Sequence, residues 1–228
     1  MLFRSMFSLS WKAANGTGPV ESLYASEIDI RAYACSPDGK FLLLDRHLSG
    51  MNDDIWALSL DGEPTARPLM AESYRELHPA ISPDGRWIAY ASNESGEYEV
   101  YVRPFPNVDD GKWLISTQGG VGWPVWAPDG RELYYVRALD QDQMMAVTVE
   151  TEPTFAVGNP ELLFEAPYYV ILGKPYDISP DGKRFLMIKD ETQAQEGDQV
   201  VETPPITELI VVENWFEEIK RLAPAEAK

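Results

Sequence analysis

The chain has 228 residues, 44% of them hydrophobic, with 18 prolines and 16 glycines, the composition of a folded protein rich in turns. Nineteen basic side chains against 37 acidic ones give a net charge of −18. Such a field repels phosphate backbones and anionic lipid heads, so no nucleic-acid partner is expected. The single cysteine, Cys35, excludes an internal disulfide and a cysteine-built zinc cluster.

The first stretch, Met1 to Trp11, is apolar but broken by Arg4 and several serines, and lacks the build of a cleavable leader. No window approaches 18 apolar residues, so direct membrane insertion is not expected. Leu9–Ala14 and Glu21–Tyr24 read as two strands joined through a turn at Asn15-Gly16. Cys35 follows, in an apolar stretch that suits a small buried side chain. Next comes the phrase Ser36-Pro37-Asp38-Gly39, which returns as Ser82–Gly85, Ala127–Gly130 and Ser179–Gly182. The four copies begin at 36, 82, 127 and 179, so they stand 46, 45 and 52 residues apart. A period of this size marks a repeat architecture.

Proline pre-sets φ for the second position of a tight turn, and glycine suits the fourth. After each phrase stands a basic residue (Lys40, Arg86, Arg131, Lys183) and then an apolar run: Phe41–Leu44, Trp87–Tyr90, Leu133–Val136, Phe185–Ile188. In the second unit Trp87–Ser92, Tyr98–Arg103, Lys112–Thr117 and Trp123–Trp126 read as four short strands. Asp54–Leu60 and Met144–Val149 repeat the same grammar. Four-stranded units of this length, stacked radially, describe an all-β propeller of antiparallel blades, about four to five of them, as a single domain over residues 1–228. Its expected core includes Leu43, Ile55, Ile88, Tyr101, Val125, Trp126, Tyr134, Phe185 and Met187. Residues 190–205, acidic and Gln-rich, read as a mobile loop. Ile206–Val212 reads as a late strand, and Asn214–Leu222 as a short C-terminal helix with a capping-box start. Residues 223–228 read as a disordered tail.

The phrase Ser-Pro-Asp-Gly-[Lys/Arg] before an apolar strand resembles the WD40-like repeat of TolB-type β-propellers. Ile81–Pro106, reading ISPDGRWIAYASNESGEYEVYVRPFP, resembles more narrowly the C-terminal propeller of bacterial membrane serine/threonine kinases. GKWLISTQGG, TFAVGNPELLFEA, YDISPDGKRFLMI and ITELIVVENWFEEI follow in the same order, and the resemblance covers roughly residues 9 to 222. It implies a non-catalytic binding or sensing module for a protein or small ligand. It also implies a segment of a longer propeller, since TolB-type rings usually hold more blades. An incomplete ring would leave terminal blades unpaired and favour self-association. On an upstream membrane anchor such a module would be extracytoplasmic, and otherwise cytoplasmic.

Prolyl oligopeptidase-type enzymes also carry a propeller, so a substrate-gating propeller whose catalytic domain is absent is the alternative. No Gly-x-Ser-x-Gly elbow occurs in the chain, nor any kinase phosphate loop, His-Arg-Asp or Asp-Phe-Gly. No catalytic residues are therefore assigned. With His47 and His78 the only histidines, no metal or other cofactor is expected. Asp53-Asp54 and Asp109-Asp110 read as solvated turn residues. His78 precedes Pro79 in a loop entering an innermost strand, and Trp123 holds the matching place one blade on. Arg75, Glu76, His78 and Trp123 are thus the candidate ligand-binding residues, at one mouth of the central channel.

Overall fold

The computed structural model describes residues 7–47, 53–119, 121–137, 142–165 and 174–187. All belong to the first of two compact units, Met1–Ala194 and Gln195–Lys228. The expected loop at 190–205, the strand Ile206–Val212, the helix from Asn214 and the tail lie outside the described residues.

Antiparallel sheets follow one another in chain order. A hairpin, β1 (Phe7–Trp11) and β2 (Glu21–Ser26), comes first. Blade 1 is β3 (Asp29–Cys35), β4 (Phe41–His47), β5 (Asp53–Ser59) and β6 (Thr65–Met70), each paired with its successor. Blade 2 repeats this with β7 (Glu76–Ile81), β8 (Trp87–Ser92), β9 (Glu99–Pro104) and β10 (Trp113–Leu114). Blade 3 is β11 (Val121–Trp126), β12 (Glu132–Arg137) and β13 (Gln143–Glu150), whose outer edge takes both β14 (Ala156–Val157) and β15 (Glu161–Glu165). The inner pair of the fourth unit is β16 (Tyr176–Ile178) and β17 (Phe185–Met187). Among the described residues the only helical element is a 3-10 turn at Val108–Asp110.

Each turn phrase joins the innermost strand of a blade to the next by one set of bonds. In the first, the amide of Gly39 donates to the Ser36 carbonyl at 2.8 Å and the Ser36 hydroxyl donates to Asp38 at 2.6 Å. The amides of Lys40 and Phe41 then donate to Asp38 and to the Ser36 hydroxyl. Ser82 and Ser179 reproduce the set. The Ser36 and Ser179 hydroxyls hold the carboxyls of Asp38 and Asp181 below the usual range.

Ala127 keeps the backbone bond from Gly130 and the bond from Arg131 to Asp129 but has no hydroxyl to offer. Ala127→Ser restores a donor to Asp129 and an acceptor for the Glu132 amide. A net gain of about 1 kcal/mol is expected, raising the midpoint of a thermal melt by about 2–4 °C. An unchanged or lower midpoint would count against this reading of the turn.

The turns also touch one another. A Cβ at Gly85 would lie 3.5 Å from the Pro37 ring, one at Gly130 3.7 Å from Pro83, and one at Gly182 3.7 Å from Pro128. Each proline therefore rests against the glycine of the following turn. That glycine sits at φ between +69° and +74°, where other residues are strained.

The core lies in the seams between blades. Leu43, Ile55, Ala57 and Met70 of blade 1 pack on Ile88, Tyr90 and Tyr101 of blade 2. Ala89, Val100 and Val102 pack on Trp126, Leu133 and Tyr135 of blade 3. Tyr134, Val136 and Met144 pack on Tyr176 of the fourth unit. Seven of the nine expected core residues are buried, from Leu43 to Tyr134. Phe185 and Met187 are half-buried against the third seam. Cys35 departs from expectation and is exposed, being the last residue of β3 where the chain leaves the sheet for the turn.

Candidate functional site

The inner strands carry an irregularity that the sequence did not announce. Pairing of β7 with β8 slips between Leu77 and Ala80, and pairing of β11 with β12 slips between Gly122 and Val125. The residues skipped are His78-Pro79 and Trp123-Pro124. Proline has no amide to give the ladder, so a bulge is where a strand tolerates it. His78 and Trp123 take φ of +56° and +53°, the left-handed region that bulky side chains rarely adopt. His78 is thus a bulge residue within β7, not part of a loop leading into it.

The bulges turn the two rings onto each other. His78 and Trp123 stack with centroids 4.7 Å apart and planes 19° apart, and Tyr33 of β3 extends the row at 5.9 Å from His78. Gly122 lies close beside the row: a Cβ there would meet the His78 Nδ1 at 3.4 Å. Burial, with the positive Arg31 nearby, lowers the His78 pKa to about 4, so its ring is neutral at physiological pH. Cross-blade bonds hold the row in place. The Trp126 indole donates to the Ala80 carbonyl at 3.1 Å, and the Tyr176 hydroxyl to the Trp123 carbonyl at 2.7 Å.

Beside this row is a pocket of about 250 Å³ on the inner wall, lined by β3, β7, β11 and β16 and by the turn prolines Pro37 and Pro83. Among the described residues its only charged lining residues are Lys174 and Asp177, paired at 2.8 Å.

Arg75 and Glu76 do not join the pocket. Arg75 reaches the buried Asp53 at 3.5 Å, and Asp53 also pairs with His47. Asp53 therefore stands inside β5 rather than in a solvated turn as expected, whereas Asp109 and Asp110 are exposed as expected. Glu76 is 1% exposed, and burial raises its pKa to about 7. Asp45, also 1% exposed, faces the same seam; burial and then the charge of Asp53 raise it to about 7. The four expected site residues thus fall into two groups, a stacked pair on the inner wall and a charged pair at the end of the first seam. Among the described residues no group of three or more His, Cys, Asp or Glu side chains is placed to hold a metal ion.

Sequence reasoning missed Tyr33, Lys174 and Asp177, which lie in unremarkable contexts. It also missed Asp45, for which a signal existed. Nine residues into the unit it stands where the other units have Ala91, Val136 and Ile188, an acid in an apolar column.

No family model matches the chain. It is 32% identical over 138 residues to tricorn protease homolog 1 of Streptomyces coelicolor, covering 54% of this chain and 12% of that protein. It is 30% identical over 93 residues to the TolB homolog of Chlorobaculum tepidum, covering 40% of this chain and 20% of that one. The chain thus spans a fifth or less of the length of these two relatives. The crystal structure of TolB from Acinetobacter baumannii matches with a TM-score of 0.51 at 15% identity, over 81% of this chain and 54% of that one. With the four-stranded blades and their repeated turn, these likenesses show that the chain has the fold of TolB-type β-propellers.

Proposed function

We propose that the chain is a non-catalytic binding module that recognises a protein or small ligand on its inner wall. In this reading it is part of a larger bacterial protein such as a membrane serine/threonine kinase. The observation that supports it most is the row Tyr33–His78–Trp123, built by two strained bulges beside a pocket. Strain of this kind costs free energy and persists where the surrounding structure over-determines it, often at ligand sites. A neutral histidine between two aromatic rings offers a recognition surface without a nucleophile. Arg75 and Glu76 serve the same mouth indirectly, by setting the charge of the adjoining seam.

A second reading, favoured by the likeness to a tricorn protease homolog, is a propeller that gates substrate entry to a peptidase domain. The coding sequence on either side of this chain separates the two. A kinase domain with one apolar segment upstream is the expected result, and a nucleophile elbow downstream would establish the gate instead. Peptidase or kinase turnover by the purified chain alone would overturn the non-catalytic assignment.

A further inference from the structure

We propose that the inner-wall pocket is a site for a zwitterionic α-amino acid with a flat, apolar side chain; this rests on reading the inner wall as the binding face. Three observations lead there. The first is size. At about 250 Å³ the pocket lies below the range that holds drug-sized ligands and suits a single small molecule rather than a run of peptide.

The second is the wall. Tyr33, Trp123 and the proline rings present flat apolar surface, which favours offset or edge contact with another ring. His78 adds no charge, since burial keeps it neutral at physiological pH.

The third is the charged edge. Lys174 and Asp177 give the lining one charge of each sign, side by side. Asp177 Oδ1 accepts from both Lys174 Nζ at 2.8 Å and the Ile178 amide at 2.9 Å. Among the described residues its second oxygen carries no bond, and a lysine ammonium has three donors of which this one uses one. An ammonium can therefore bond Asp177 Oδ2 while a carboxylate bonds Lys174, without breaking the existing pair. A ligand with only one charge satisfies one member and confronts the other. A simple anion also meets the repulsion of a chain carrying −18. An α-amino acid has both groups on one carbon, no net charge, and a side chain left free for the ring wall.

Calorimetric titration of the full chain with L-phenylalanine tests this, with phenethylamine and 3-phenylpropionate as probes that each lack one charge. L-phenylalanine is expected to bind, and each one-charge probe at least tenfold more weakly. Lys174→Met and Asp177→Asn, at an exposed pair whose loss leaves the melt unchanged, should each weaken L-phenylalanine about tenfold. No heat with L-phenylalanine, L-tyrosine or L-tryptophan at millimolar concentration would overturn the inference. So would equal affinity for phenethylamine, or unchanged affinity in both variants. A tryptic casein digest distinguishes the two levels of the reading. If the digest changes the protein's fluorescence in a way that Trp123→Ala abolishes, while amino acids do nothing, only the ligand class fails. Silence towards both would remove the binding role as well.

Discussion

Asp45→Asn is expected to make the protein more stable than the wild type at pH 8 and no more stable at pH 4. The Asp45 carboxyl is 1% exposed at the seam between blades 1 and 2, with Arg31 and Tyr33 beside it on β3, His47 on β4 and Asp53 on β5. Burial first, and then Asp53, raise its pKa from 3.8 to about 7. Below pH 4 the group is protonated folded or unfolded and costs nothing. Between pH 4 and 7 the unfolded chain releases the proton while the folded one keeps it, so stability falls as pH rises. A shift of this size corresponds to a loss on the order of 4 kcal/mol, complete by about pH 7. His78, lowered to about 4, acts with the opposite sign: its share of stability is lost as pH falls below about 6.5. Glu76, raised to about 7, acts with the same sign as Asp45. The difference between wild type and Asp45→Asn cancels both contributions. Denaturant melts at pH 4 and pH 8 read that difference, and parallel stabilities at the two values would show that Asp45 ionises freely in the fold.

Leu43→Ala and Met144→Ala are each expected to cost about 3–5 kcal/mol, since both side chains are fully buried. More informative is their combination. Leu43 belongs to the first seam and Met144 to the third, with no shared neighbours in either cluster. In a structure where each unit packs only on the next, their costs should add to within about 0.5 kcal/mol. Leu43→Ala with Ile55→Ala, two residues of one cluster, should depart from the sum by more than that, because the second truncation enlarges a cavity the first has opened. Coupling of equal size in both pairs would mean that the seams are not independent, and the picture of stacked units would have to be given up.

The blades were legible because the turn phrase is a local device with visible chemistry. Serine, proline, aspartate and glycine each occupy the turn position that their backbone preference or hydrogen-bonding reach dictates, so Trp87–Ser92 could be bounded to the residue. Edge strands were less legible. Lys112–Thr117 reads as a full strand, but the strand is only Trp113–Leu114, followed by one more backbone bond from the Ile115 amide to the Val100 carbonyl. Ser116 instead turns its hydroxyl to the buried Glu99 and accepts from the Val100 amide. Local pattern does not record that competition between side chain and ladder. The site was half legible. His78 and Trp123 share a repeat position and a following proline, which marks them as matching places on neighbouring blades but does not announce the bulge that stacks their rings. Arg75 and Glu76 stand close to His78 in sequence, but Arg75 precedes β7, and the slip after Leu77 breaks the alternation that would have set Glu76 and His78 on one face. The ion-pair partner of Arg75 is Asp53, in the preceding blade, and no spacing rule connects them.

The proline of each turn resting on the glycine of the next has a consequence for how such a chain can change over generations. Because the two halves of that contact lie in the same four-residue phrase, a duplicated unit arrives with both a socket for its predecessor and a plug for its successor. Insertion or excision of a whole repeat leaves every turn-to-turn contact chemically alike, whereas a cut elsewhere in the unit breaks a blade. The lineage can therefore count its blades up or down by recombination between phrases, and the stretches free to diverge are those that these contacts do not touch.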